Sequence, residues 1–142
     1  MEIAQQHRIQ FHGVDIINVQ FNSTNRLTPN SDVQLNIKPK VHYPENEPGL
    51  FQIFMEVDLS SKECFTLSLL AIGHFQIDDH DNDELRKQLV NQNAPAIMFP
   101  YIRSFISTFS SNIGMTTGPL LLPPQFFTGE VPEINPKEEK PA

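Results

Sequence analysis

The chain has 142 residues, about one ordinary domain, of which 39% are apolar and 19% charged. These proportions fit a folded chain and exclude a disordered one. A net charge of -7 argues against nucleic acid as the main partner, and a single cysteine, Cys64, excludes an internal disulfide and a cysteine-rich metal site. The longest apolar runs are a few residues, so no membrane insertion is expected. The first residues lack the basic-then-apolar order of a secretory signal, so the expected location is cytoplasmic.

The first part of the chain reads as strands. Ile17, Val19 and Phe21 alternate at the end of a run from Ile9 to Phe21. Val33, Leu35 and Ile37 alternate with Gln34, Asn36 and Lys38, which puts three apolar side chains on one face. Pro39 suggests an edge strand or a bend. After the turn formers of Tyr43 to Gly49, Phe51, Ile53, Met55, Val57 and Leu59 form the clearest alternation. Ser60 to Glu63 is a polar turn. From Cys64 to Ile77 a further strand carries Phe65, Leu67, Leu69, Phe75 and Ile77, and a bulge or kink is expected at Gly73. The four runs predict one antiparallel sheet.

The period changes after Ile77. Asp81 with Glu84 resembles a capping box, and Leu85 and Leu89 stand one helical turn apart, predicting a short helix from about Asn82 to Asn91. Ile97, Met98, Tyr101, Ile102, Phe105, Ile106 and Phe109 then form one broad apolar stripe. This predicts a main helix over Pro95–Ser111, capped by Asn93, with a bend or a new start at Pro100. Leu120 to Leu122, framed by prolines, read as a short extended segment followed by Phe126 and Phe127. Residues 1–128 read as one domain and 129–142 as a disordered acidic, proline-rich tail.

Reactive groups are scarce. No glycine-rich phosphate loop occurs. The acidic run from Asp78 to Glu84 lacks the spacing of a calcium loop. Cys64 reads as a packed strand residue. The pair His80 and Asp81 lies in a polar loop that gives neither burial nor orientation, so acid–base catalysis there is a minor alternative. The chain is not expected to be an enzyme, and no cofactor or metal is expected. Eleven phenylalanines without a tryptophan fill a core with some surplus, which points to a groove for apolar segments of a partner.

The run from Ala94 to Arg103, Ala-Pro-Ala-Ile-Met-Phe-Pro-Tyr-Ile-Arg, resembles the SecB family of export chaperones, in which a similar Pro-x-Ile-Leu-Phe-Pro-Tyr-x-Arg segment occurs. Pro119, Leu120, Leu122, Pro124 and Phe127 match the family's next segment, Pro-Leu-x-Leu-x-Pro-x-x-Phe. Asn18 to Phe21 and Gly73 to Ile77 resemble the ends of its first and fourth strands. The resemblance implies an α+β fold, a four-stranded antiparallel sheet followed by a long helix packed on it. It implies a homotetramer, a dimer of dimers, with Tyr101, Phe105 and Phe109 at the subunit interface. It implies ATP-independent binding of unfolded client polypeptides, preproteins among them, which are kept translocation-competent. By the family pattern Val33, Leu35, Ile37 and Phe65 form the floor or wall of the client groove, and Leu122 and Phe127 its lid.

Two departures stand out. Where the family has acidic residues that receive the SecA motor, this chain has Asn18, Asn22 and Ser68. After Phe127, Thr-Gly-Glu-Val-Pro replaces the start of the family's second helix. Some SecB-like proteins serve toxin–antitoxin systems, so the alternative expectation is a dedicated chaperone or partner-binding module, for example of an antitoxin, not coupled to SecA.

Overall fold

The computed structural model describes residues 9–78, 83–123 and 131–133. Four strands build one antiparallel sheet: β1 (Ile9–Ser23), β2 (Gln34–His42), β3 (Leu50–Ser61) and β4 (Phe65–Ile77). Their order across the sheet is β1-β4-β3-β2, so β1 and β2 are the two edges.

The alternation in sequence becomes two faces in space. On the inner face Ile16, Ala71, Met55 and Pro39 share a row, and Phe21, Leu67, Leu59 and Leu35 share another. On the outer face the rows are Asp15, Ile72, Phe54, Lys40 and then Ile17, Leu70, Glu56, Lys38. In the inner rows the residues of β3 and β4 are buried, and Ile16, Phe21 and Leu35 on the edge strands are partly buried. Each large side chain there contributes about 1.5–3 kcal/mol by leaving water.

The helical part is α1 (Asp83–Gln88), a π-helical turn (Leu89–Asn93) and α2 (Ala94–Ser111). The expected short helix and main helix therefore join without a break. Asn93 has helical backbone angles and makes no side-chain capping bond, so it does not cap α2. Pro100 lies inside α2, and the helix does not restart there. The capping residue Asp81 and the pair His80–Asp81 lie outside the described residues. Met98, Phe99, Ile102 and Ile106 of α2 are fully buried against the inner face.

Gly73 does not mark a bulge in β4. It pairs in register with Ile53, and the irregularities fall on β1, between Phe11 and Gly13 and between Ile17 and Gln20. Asn18 occupies the second of these with φ 55°, a left-handed angle that asparagine tolerates. Pro39 does not end β2, which stays paired to His42. Val41 donates its N–H away from β3, to the Pro132 carbonyl. Pro39, two residues earlier, faces the same way, so its missing donor falls on the edge and not in the ladder.

Within residues 129–142, expected as a tail, the structure describes residues 131–133. Val131 is buried, and Glu133 forms a parallel bridge with Val41. The aliphatic side chain of Val131 and the open edge of β2 hold these residues.

Candidate functional site

The inner face of β2 is only partly roofed. Leu35 stands beside Leu59 and Ile37 beside Val57. Both are half-buried and packed on the core, whereas Val33, just before the strand, is 39% exposed. The edge position explains this, because each row of the sheet ends here.

The segment after α2 turns back along the helix. Leu27 donates its N–H to the Thr116 carbonyl at 2.9 Å. The Leu120 N–H donates to Ser110 Oγ at 2.8 Å, and Ser110 in turn donates to the Ile106 carbonyl at 2.7 Å. Arg103 Nε donates to the Leu122 carbonyl at 3.2 Å. These bonds fix the alternation of the three leucines. Leu120 and Leu122 point inward at 7% exposure each, and Leu121 points outward at 81%. A cavity of about 270 Å³ opens between Leu121, Leu122 and the α2 residues Pro100, Arg103, Ser104 and Ser107.

Two of the expected groove residues are buried in the single chain: Leu122, whose exposed neighbour is Leu121, and Phe65, which lies under Phe21 with ring centroids 6.2 Å apart. Phe127 lies outside the described residues. Leu121 went unmarked in sequence because the family spacing pointed to Leu120 and Leu122, and three consecutive leucines give no phase of their own.

The aromatic stripe of α2 lies over β1. Tyr101 is 53% exposed and its ring sits 5.2 Å from Phe11. Phe109 meets Phe21 edge-on at 5.4 Å, and Phe105 stacks on Phe109 at 6.0 Å. The stripe borders the unpaired edge of β1, so an open row of backbone groups and a row of rings lie side by side.

The outer face carries Asn22 and Ser68 on the polar rows of the sheet, and Asn18 at the β1 irregularity. Between these and the His74–Asp15 pair (Nε2 to Oδ2, 2.9 Å) lies an apolar strip of Ile17, Leu70, Ile72 and Phe54. At the far end of β2, the Arg86 guanidinium sits 4.0 Å above the Tyr43 ring. Burial raises the Tyr43 phenol above its ordinary value, Arg86 opposes that shift by charge and hydrogen bond, and Glu133 adds to it.

Among the described residues no group of three or more His, Cys, Asp or Glu is placed to hold a metal. Cys64 is buried, with its thiol 3.7 Å from the Arg26 carbonyl. No helix among the described residues is long and apolar enough to cross a membrane.

The uncharacterized protein MJ0357 of Methanocaldococcus jannaschii is 26% identical to this chain over 147 residues, covering 99% of this chain and 93% of that protein. Among solved structures, the Mycobacterium tuberculosis Rv1957 SecB-like chaperone, in complex with a ChAD peptide from the Rv1956 HigA1 antitoxin, matches with a TM-score of 0.67. It is 15% identical, the match covers 87% of this chain and 92% of that one, and at this identity the likeness is one of fold. The family model described as SecB, preprotein translocase subunit SecB, matches residues 11–129. That span takes in the sheet from Phe11 onward, both helices and the leucine segment, and the chain belongs to the SecB family.

Proposed function

We propose that this protein is an ATP-independent holding chaperone. It binds unfolded or aggregation-prone polypeptides, preproteins among them, and keeps them translocation-competent. Membership of the SecB family supports this, and the observation that carries it is the surplus of apolar surface after folding. Val33, Leu121 and Tyr101 remain exposed, and Leu35 and Ile37 of the β2 edge are half-open. A binder without an energy source must release its clients, so several shallow apolar contacts suit it better than one deep pocket. Leu121 takes the lid role in this reading, with Val33, Leu35 and Ile37 along the floor.

The working form is a cytoplasmic homotetramer. The unpaired β1 edge with the Tyr101, Phe105 and Phe109 stripe suits pairing with a second copy, which covers both at once. The test is suppression of aggregation of a chemically denatured client at stoichiometric amounts. A correctly assembled protein that leaves aggregation unchanged refutes the reading.

A second reading is favoured by the outer face. Asn18, Asn22 and Ser68 are uncharged, so a SecA-type motor has no acidic patch to dock on at these positions. The solved Rv1957 complex holds an antitoxin peptide. By this reading the protein is a dedicated chaperone of one partner, such as an antitoxin, uncoupled from SecA. Recovery of one dominant partner by affinity capture, instead of many clients, distinguishes it.

A further inference from the structure

We propose that Val131–Glu133 is a latch, a segment of the chain's own C-terminal region that occupies in cis a strand-edge slot on β2 built for an extended aliphatic segment of a client. Three contacts define the slot. The Val41 N–H donates to the Pro132 carbonyl at 2.9 Å, and Val41 and Glu133 form a parallel bridge. The Val131 N–H donates to Asn91 Oδ1 at 2.8 Å. The Val131 side chain is 7% exposed and belongs to the core cluster. Adding an extended segment to a free sheet edge is a general mode of peptide recognition, with affinity from the main chain and selection from alternate side chains.

None of these contacts reads the identity of the latch. Two are hydrogen bonds to main-chain atoms, and the third is an aliphatic side chain in an apolar niche. A foreign extended segment with an aliphatic residue reproduces all three. The slot is short, because Pro39 offers no donor to continue the edge ladder. A short slot binds weakly in trans and is filled in cis only by proximity. At a tethered effective concentration on the order of 1 mM, a peptide of intrinsic Kd near 50 μM is shut out about twentyfold. The latch therefore sets a threshold that only clients with several apolar segments overcome. This depends on the holding-chaperone reading only for the identity of the competing ligand.

The experiment uses the full chain and a fluorescent synthetic peptide of the sequence Thr-Gly-Glu-Val-Pro-Glu-Ile-Asn-Pro. The Val131→Asp variant is expected to bind this peptide at least tenfold more tightly than the unaltered chain. Val131→Ser, milder to the core, is expected to shift affinity in the same direction. Hydrogen exchange at the Val41 amide is expected to speed up in both variants, and adding Asn91→Ala to either is expected to abolish the gain. Equal affinity for variant and unaltered chain, or no binding to either, overturns the latch. Aggregation suppression is measured alongside. Suppression with no change in peptide binding sinks the latch alone, whereas absent suppression with a tenfold gain sinks only the chaperone reading.

Discussion

Gly73 and Met98 touch in a way that no side chain at position 73 allows: an added Cβ would lie 2.9 Å from the Met98 sulfur and 2.8 Å from an edge carbon of the Phe75 ring. The glycine thus fixes how closely α2 approaches β4. Met98 can yield, but the Phe75 ring stacks on Phe51 at 5.3 Å and meets Phe11 at 5.3 Å, and cannot. Gly73→Ala is expected to destabilise the fold by about 1–3 kcal/mol through overpacking, and Gly73→Val by more. Urea unfolding followed by circular dichroism measures this. An unchanged midpoint for Gly73→Val would show that the helix rides farther from the sheet.

The neighbouring leucines 121 and 122 make a paired test. Leu122→Ala removes a buried side chain and is expected to lower stability by about 2–3 kcal/mol. Leu121→Ser acts at an exposed position and is expected to change stability by less than about 0.5 kcal/mol. Client binding is expected to respond the other way, weakening several-fold in Leu121→Ser while the fold stays intact. If Leu121→Ser binds a denatured client as well as the unaltered chain, Leu121 is no lid residue.

Tyr43 predicts a pH dependence. Its phenol is held above the ordinary value of 10.0, chiefly by burial. The folded state therefore keeps its proton where the unfolded chain has lost it. The associated stability is complete below pH 10, falls as the pH rises from 10 through the raised folded value, and is then lost. Tyr43→Phe cannot titrate, so its stability is expected to fall less steeply over this range. Parallel curves for the two proteins above pH 10 contradict the assignment.

The sequence carried the sheet well and the site poorly, for one physical reason. Strand alternation is local: Phe51 through Leu59 declare their face within ten residues, and the four strands appear where the alternation places them. The role of a glycine is not local. Gly73 looked like a bulge because its partner, Met98, is far along the chain. The three leucines of 120–122 could be phased only by Ser110 and Arg103, whose bonds to that segment are tertiary. Val131 was invisible in a tail of charges and prolines, because its niche is assembled from Val41 and Asn91 on different elements. The Asn93 cap failed because the π-helical turn carries the backbone straight into α2.

The stripe on α2 offers a test of the proposed assembly. Tyr101 keeps half its surface open although its ring already packs on Phe11, and Phe105 and Phe109 continue the row along the β1 edge. A second copy paired along β1 would bury these rings and satisfy the open backbone groups together. Central tyrosines at such contacts commonly contribute about 2 kcal/mol or more each, and a symmetric interface uses each one twice. Tyr101→Asp places two charges in that contact and is expected to weaken association more than a hundredfold. Sedimentation at micromolar concentration would then show a smaller species than the unaltered protein. Ala96→Asp is the control, being exposed and about 140° around α2 from Tyr101. It is expected to leave the mass unchanged. A tetramer that survives Tyr101→Asp places the interface elsewhere, and a monomeric unaltered chain leaves the stripe free as a further client-binding surface.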